Sequence, residues 1–323
     1  MTGVIASAPG KAVLSGEYAV LRGAPAVSMA VSRRARVSVT PADTAWHRVS
    51  APGYSATEGR FVVEGQVPRW LQGADDYRLV DAAWRTLRKN DSGFLSIELD
   101  SRAFFDARSG SKVGLGSSAA LTVALTAALT ESPELLDNAI RVHKLFQSDA
   151  GSGVDIATSA HGGLLEYRMQ GATIAPCQWP DGLECRLVWT GVPAATTGKL
   201  ARFDKGGRRA SLDKLVSAST AMAQAWRSAE EVLAQFPAYV QALAEFSDDY
   251  DLGIFDAGHA KLTSQAKAEG LVYKPCGAGG GDVGILLGTK REQLDEFLVE
   301  HAEPGCRVLE CGLETSGVAL ERR

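Results

Sequence analysis

The stretch Lys112-Val-Gly-Leu-Gly-Ser-Ser-Ala-Ala-Leu121, running on as Thr-Val-Ala-Leu-Thr-Ala-Ala-Leu129, constrains this chain more than any other. Two glycines and two serines open an apolar run long enough for about three to four helical turns. Gly114 and Gly116 can take backbone angles closed to other residues and let a ligand approach the main chain. Ser117 and Ser118 then begin a helix, where N–H groups lack intrahelical partners and the dipole is positive. Such a helix start binds anions, and phosphate is its usual occupant. Taken alone, the motif also reads as a glycine turn with a serine cap before a buried helix. Further glycine-rich stretches argue for the anion site.

The first of these is Pro9-Gly10, a turn pair between strands at 4–8 and 11–14, which holds Lys11 on a stiff element, either as a phosphate-facing lysine or as a solvated strand-end one. Ser15–Leu21, Ala26–Val31 and Arg33–Thr40 continue the strand pattern, and residues 42–70 are polar with one short edge strand at Phe61–Glu64. A helix is predicted over 75–87 and a strand over Leu95–Leu99. Arg102, Arg108 and Lys112 then lead into the glycine turn, three cations suited to a polyanionic ligand or to a solvated loop. Residues 133–147 form an amphipathic helix with His143 and Gln147 on one face. Asp155 follows Gly151-Ser152-Gly153, placed either as a helix cap or as a catalytic carboxylate.

Strands resume at 163–167, 172–175 and 184–190, and a boundary near 190 divides the chain into 1–190 and 191–323. Residues 198–209 are basic, glycine-rich and without period, which predicts a mobile loop bearing Lys199 and Arg202. From 211 to 270 the pattern is helical, divided at Pro237 and broken again at 248–251. Cys276-Gly-Ala-Gly-Gly-Gly-Asp282 precedes a strand, and so many ordered glycines imply close backbone approach to a ligand or a second loop. A helix at 292–301 and a strand at 307–310 end the pattern.

The net charge of −4 argues against a general nucleic-acid binder. Five cysteines form no Cys-x-x-Cys pair, which favours reduced thiols in a cytosol. The N-terminus lacks a signal-peptide pattern, and no apolar run approaches the roughly 18 residues of a membrane span. A cytoplasmic protein is expected.

Gly114-Leu-Gly-Ser-Ser-Ala119 is formally a G-x-G-x-x-A string, but a dinucleotide turn should follow a buried strand, and a polar arginine-bearing loop precedes this one. P-loop and protein-kinase signatures are missing. Three motifs in order, Pro9-Gly-Lys-Ala-Val-Leu-Ser-Gly-Glu-Tyr-Ala-Val-Leu21, Gly114-Leu-Gly-Ser-Ser-Ala-Ala120 and Lys274-Pro-Cys-Gly-Ala-Gly-Gly-Gly-Asp282, resemble those of the GHMP kinases (galactokinase, homoserine kinase, mevalonate kinase, phosphomevalonate kinase). Tyr18 in place of the histidine of mevalonate kinases, Lys112-Val-Gly-Leu-Gly and Val188-Trp-Thr-Gly191 are most similar to the phosphomevalonate kinase branch. Cys276 stands where that branch commonly has Ser. Lys144 stands eleven positions before Asp155, where mevalonate kinases have a glutamate that helps hold magnesium.

The resemblance implies an α+β fold of two domains, a ribosomal-protein-S5-like N-terminal half and a ferredoxin-like C-terminal half, with ATP and acceptor between them. It implies catalytic roles for Asp155 and Lys11. ATP phosphates would lie on Lys112, Gly114, Leu115, Gly116, Ser117, Ser118 and Ala119, with Mg²⁺ on Ser118. Substrate would meet Lys11, Glu17, Tyr18, Ser152, Gly153, Gly277, Ala278, Gly279 and Gly280. The expected activity is phosphorylation of phosphomevalonate in isoprenoid synthesis, by a monomer or homodimer whose partners are ATP and the small substrate, with no nucleic acid or membrane. Mevalonate kinase, a non-catalytic metabolite-binding protein and a diphosphomevalonate decarboxylase-like lyase are the other readings. Phosphoryl transfer is mainly positioning and charge neutralisation. A phosphomonoester, with a second pKa of about 6, is mostly deprotonated at neutral pH, so the cations should matter more than a base.

Overall fold

The computed structural model describes residues 3–65, 67–87, 93–130, 132–148, 151–194, 196–207 and 209–323. Its spine is an antiparallel pair of long strands, β1 (Val4–Ser15) and β2 (Ala26–Pro41). The large sheet extends through β3 (His47–Ala51), β4 (Ser55–Glu64), β5 (Val67–Gln72) and β6 (Leu95–Asp100), in the order β1-β2-β6-β3-β4-β5. At the other end of β2, β7 (Leu164–Arg168) pairs and carries β8 (Thr173–Cys177). Four helices cover this sheet: α1 (Arg78–Leu87), α2 (Ser117–Leu129), α3 (Leu135–Phe146) and α4 (Val154–His161). α2 is apolar on nearly every side because it lies between β1 and β2 on one flank and the other helices on the other.

The second sheet has the order β10-β11-β9-β12, from β9 (Glu184–Trp189), β10 (Val272–Pro275), β11 (Val283–Gly288) and β12 (Arg307–Val308). Between its strands run α5 (Thr196–Lys205), α6 (Ala210–Ala225), α7 (Ala229–Asp249), α8 (His259–Ala268) and α9 (Arg291–His301). The pleat of β11 divides its side chains: Leu286 packs with Leu262, Leu294 and Phe297 of α8 and α9, while Val283, Ile285 and Leu287 join the main core. A last strand, β13 (Ala319–Arg322), pairs with β1. The sheets therefore divide the chain differently from a cut at 190. β9 belongs to the second sheet, and the C-terminal strand returns to the first.

Other expectations are corrected. β1 runs unbroken through Pro9-Gly10, with only a register shift there, because a bulge tolerates a proline that cannot donate. Residues 42–70 hold three strands rather than one. Their outer faces are polar and ion-paired, as at Arg48–Glu58, which dilutes the apolar alternation. Pro237 lies inside α7, which continues because Phe236, Tyr239, Val240, Leu243 and Phe246 bury one face on either side of it. The break falls instead before Ser228, whose hydroxyl accepts the Glu231 N–H at 3.1 Å as an N-cap. The segment read as a mobile loop is helical from Thr196 to Lys205, anchored by buried Lys199 and Phe203; Arg208 lies outside the described residues.

Candidate active site

The bulge at Pro9-Gly10 aims Lys11. A Cβ at Gly10 would sit 2.5 Å from the Leu115 carbonyl oxygen, so only glycine lets β1 approach the loop before α2. The Lys11 N–H then donates to the Leu115 carbonyl at 2.9 Å, joining the first motif to the second. The Lys11 stem crosses Gly116, where a Cβ would lie 2.9 Å from Cε. Its ammonium meets the Asp155 carboxylate at 3.2 Å. Asp155 occupies the first turn of α4, after Gly153 at φ 87°. The Tyr167 hydroxyl donates to the Ser152 carbonyl at 2.9 Å and steadies that turn.

Gly116, at φ 78° and ψ 37°, ends the loop at the start of α2, and among the described residues no side chain caps the helix. The N–H groups of its first turn are thus presented without a side-chain acceptor, beside the Ser118 hydroxyl. The third motif closes the opposite wall. Asp282 packs on Gly114 so closely that a Cβ there would lie 2.3 Å from its Cβ. Its Oδ1 accepts the Ala194 N–H at 3.2 Å, and burial raises its pKa. Lys112 stands at the cleft rim, open to solvent on one side. The surrounding walls strip water from its ammonium and lower its pKa, against the pull of Asp282. Burial pushes the Cys276 thiol up to about 11, so it is protonated at neutral pH.

These walls enclose a cleft of about 350 Å³. Lys11, Glu17, Tyr18, Lys112, Gly114, Gly116, Ser118, Ser152, Gly153, Asp155, Gly277, Ala278 and Gly279 all line it. Leu115, Ser117 and Ala119 do not; their side chains are turned into the core. Gly280 does not line it either. It lies behind the loop against Lys199 and the Gly253 carbonyl. Glu17 faces the cleft, but its carboxylate is already engaged by Lys274, Tyr239 and the Gly277 N–H.

Arg102 and Arg108 are displaced from the site. Arg102 is exposed and paired with Asp100 at 2.7 Å, and exposed Arg108 does not line the cleft. Lys199 is not a free cation: it donates to the carbonyls of Gly279 at 2.8 Å and Gly253 at 3.1 Å, bracing the third glycine loop. Arg202 donates to the Asp251 carbonyl at 2.7 Å. Sequence reasoning missed Tyr239 and Lys199 as braces, since a tyrosine in an apolar helix and a lysine in a basic run carry no local signal. The apolar side of the cleft, Val13, Val20, Leu21, Val154 and Leu200, was equally silent. The arrangement can hold a polyanion at a helix start, set an ammonium–carboxylate pair against a second ligand, and bury an aliphatic body beside them.

The family model for the N-terminal domain of GHMP kinases matches residues 78–163. The chain is 30% identical over 338 residues to phosphomevalonate kinase of Streptomyces sp. (strain CL190), covering 88% of this chain and 89% of the relative. It is 27% identical over 344 residues to mevalonate kinase of Bos taurus, covering 88% and 85%. Among solved structures, Streptococcus pneumoniae phosphomevalonate kinase in complex with phosphomevalonate and AMPPNP matches with a TM-score of 0.77 at 21% identity, covering 97% of this chain and 100% of the other.

Proposed function

This chain belongs to the GHMP kinases, ATP-dependent enzymes, and from that membership we propose that it transfers the terminal phosphoryl group of ATP to phosphomevalonate, forming diphosphomevalonate. The observation that carries the acceptor is the pair of lysines on one cleft, Lys11 and Lys112, beside Asp155; the other two carboxylates of the lining have partners of their own, Glu17 on Lys274 and Asp282 on the Ala194 N–H. A hydroxyl acceptor needs its proton removed. A phosphomonoester at neutral pH needs repulsion between two anions relieved, and two ammonium groups supply that. The relatives that phosphorylate mevalonate make mevalonate the competing acceptor. An ADP-release assay with phosphomevalonate, mevalonate, homoserine and galactose separates the possibilities. Efficient turnover of mevalonate and none of phosphomevalonate overturns the reading.

In this reading the N–H groups at the start of α2 hold the ATP phosphates, and Lys11 neutralises charge where the acceptor oxygen attacks. Asp155 orients Lys11 and has little proton to remove. Val13, Val20 and Leu200 take the acceptor's hydrocarbon body. Among the described residues no cluster of three or more His, Cys, Asp or Glu could hold a metal. The cleft instead offers Ser118 and Asp155, hard oxygen donors that fit Mg²⁺ held mainly by nucleotide phosphates and water. Ser118 would hold that ion, which would supply charge neutralisation on the transferring group.

Two results are expected. Ser118→Ala should lower kcat about tenfold or more, as loss of a transition-state contact does. Its melting temperature should stay close to that of the parent, because Gly116, not a serine side chain, occupies the cap position of α2. Full turnover with a lowered melting temperature would reassign Ser118 as a structural residue. Lys112→Ala should lower kcat/KM for phosphomevalonate by about tenfold or more, the worth of one charge-assisted contact to phosphate. Nucleotide affinity measured calorimetrically without acceptor should change much less.

A further inference from the structure

Several buried side-chain polar atoms meet no hydrogen-bond partner among the described residues, and His143 Nε2 is the one among them carried by a residue that lines the cleft. His143 is 7% exposed, near the C-terminal end of α3, and Gln147 lines the same wall one turn later. The ring lies beside Phe146, with centroids 6.3 Å apart. A leucine would occupy the position without stranding a polar atom, and an unpaired buried donor is disfavoured. The stranded nitrogen therefore points to a partner that arrives with the ligands.

The charged groups that act on His143 identify that partner. They are Asp155, Lys11 and Lys112; of the other charged residues that line the cleft, Glu17 is held by Lys274 and Asp282 accepts the Ala194 N–H. Two of the three are cations, so the space in front of the ring is suited to an anion. We propose that His143 donates a hydrogen bond from Nε2–H to the transferring phosphoryl group of ATP, with the Gln147 amide as a second donor on the same wall. The inference rests on the cleft being the site of phosphoryl transfer, whichever acceptor it takes.

A neutral donor suits this position better than another cation. Burial holds the imidazole pKa down to about 4, so at neutral pH the ring is uncharged and carries one N–H. An imidazolium would repel Lys11 and Lys112, and a neutral ring does not. The transferring group spreads its charge over three equatorial oxygens, which leaves room for a donor beyond the two ammonium groups. The alternative role, a metal ligand, is disfavoured because Mg²⁺ takes oxygen rather than imidazole nitrogen.

The test compares His143→Leu with His143→Gln, whose terminal amide can put an N–H near the position of Nε2. In His143→Leu, kcat/KM for ATP is expected to fall about ten- to a hundredfold, the loss of a hydrogen bond to a charged group. The melting temperature should be unchanged or raised, and His143→Gln should recover most of the activity. Wild-type kcat/KM in His143→Leu overturns the proposal, as does equal loss in both variants. A second measurement needs only the parent protein to carry the result: ¹⁵N-histidine-labelled enzyme titrated with AMPPNP and Mg²⁺, with no acceptor. His143→Gln serves to assign the signal. The His143 Nε2 resonance should move on binding, and a resonance that stays put while AMPPNP saturates the site overturns the contact. Failure of phosphomevalonate as a substrate with the AMPPNP shift intact would remove the acceptor assignment and leave this contact standing.

Discussion

Lys274→Met should destabilise the fold by about 3–5 kcal/mol, the cost of removing one partner from a buried ion pair. Lys274 Nζ lies 2.5 Å from Glu17 Oε1, with the two side chains 0% and 2% exposed. The Tyr239 hydroxyl donates to the other carboxylate oxygen, and the Gly16 N–H donates to that hydroxyl at 2.9 Å. Methionine would leave a carboxylate in the interior with one hydroxyl and one long N–H contact from Gly277, at 3.4 Å. Tyr239 belongs to α7, Lys274 to β10 and Glu17 to the turn after β1, so the network joins the two sheets' halves across the cleft. A melting temperature lowered by about 5 °C or more is the corresponding shift for a chain of this size. The double variant Glu17→Gln/Lys274→Met should recover much of the loss, because it removes the stranded charge. A single variant as stable as the parent would show that the pair contributes nothing.

That network marks the limit of what the sequence discloses. Lys11, Gly114, Gly116, Ser118 and Asp155, singled out from short local motifs and a family resemblance, all line the cleft. Glycine at 114 and 116 is demanded by positive φ and by the approach of Asp282 and Lys11. The helices α1 and α3 and most buried strands were legible from period, α2 from the length of its apolar run, and α4 only as a segment that Asp155 could cap. What was not legible depends on distant partners. Arg102 and Lys112 sit in one polar loop; Arg102 pairs with Asp100 only two positions before it, but that Lys112 reaches the cleft depends on walls built from residues 11–21 and 276–282. Glu17 carries a motif position facing the cleft, yet Lys274, more than 250 residues later, holds its carboxylate. Lys199 looked mobile because its neighbours are basic and glycine-rich. Three backbone carbonyls that accept its N–H groups are supplied by residues 253–279. The return of β13 to β1 has the same cause: a four-residue exposed strand has no signal apart from the edge it completes.

Lys11→Met should lower kcat with phosphomevalonate about a hundred- to a thousandfold, the usual consequence of deleting one preorganised charge-stabilising group. Lys11 is buried, packed over Gly116, and paired with Asp155 at 3.2 Å, so its ammonium is held in position before any ligand binds. The companion variant discriminates the chemistry. If the attacking oxygen belongs to a phosphomonoester, it is already anionic at neutral pH, and Asp155→Asn removes only the group that orients Lys11. Its loss should then be clearly smaller than that of Lys11→Met. If the attacking oxygen is a hydroxyl, a general base contributes a further hundred- to ten-thousandfold or so, and Asp155→Asn should be at least as damaging as Lys11→Met. Steady-state kcat for both variants, with melting temperatures to exclude misfolding, gives the order directly. Asp155→Asn as inactive as Lys11→Met on phosphomevalonate would assign Asp155 a base role and remove the argument from charge.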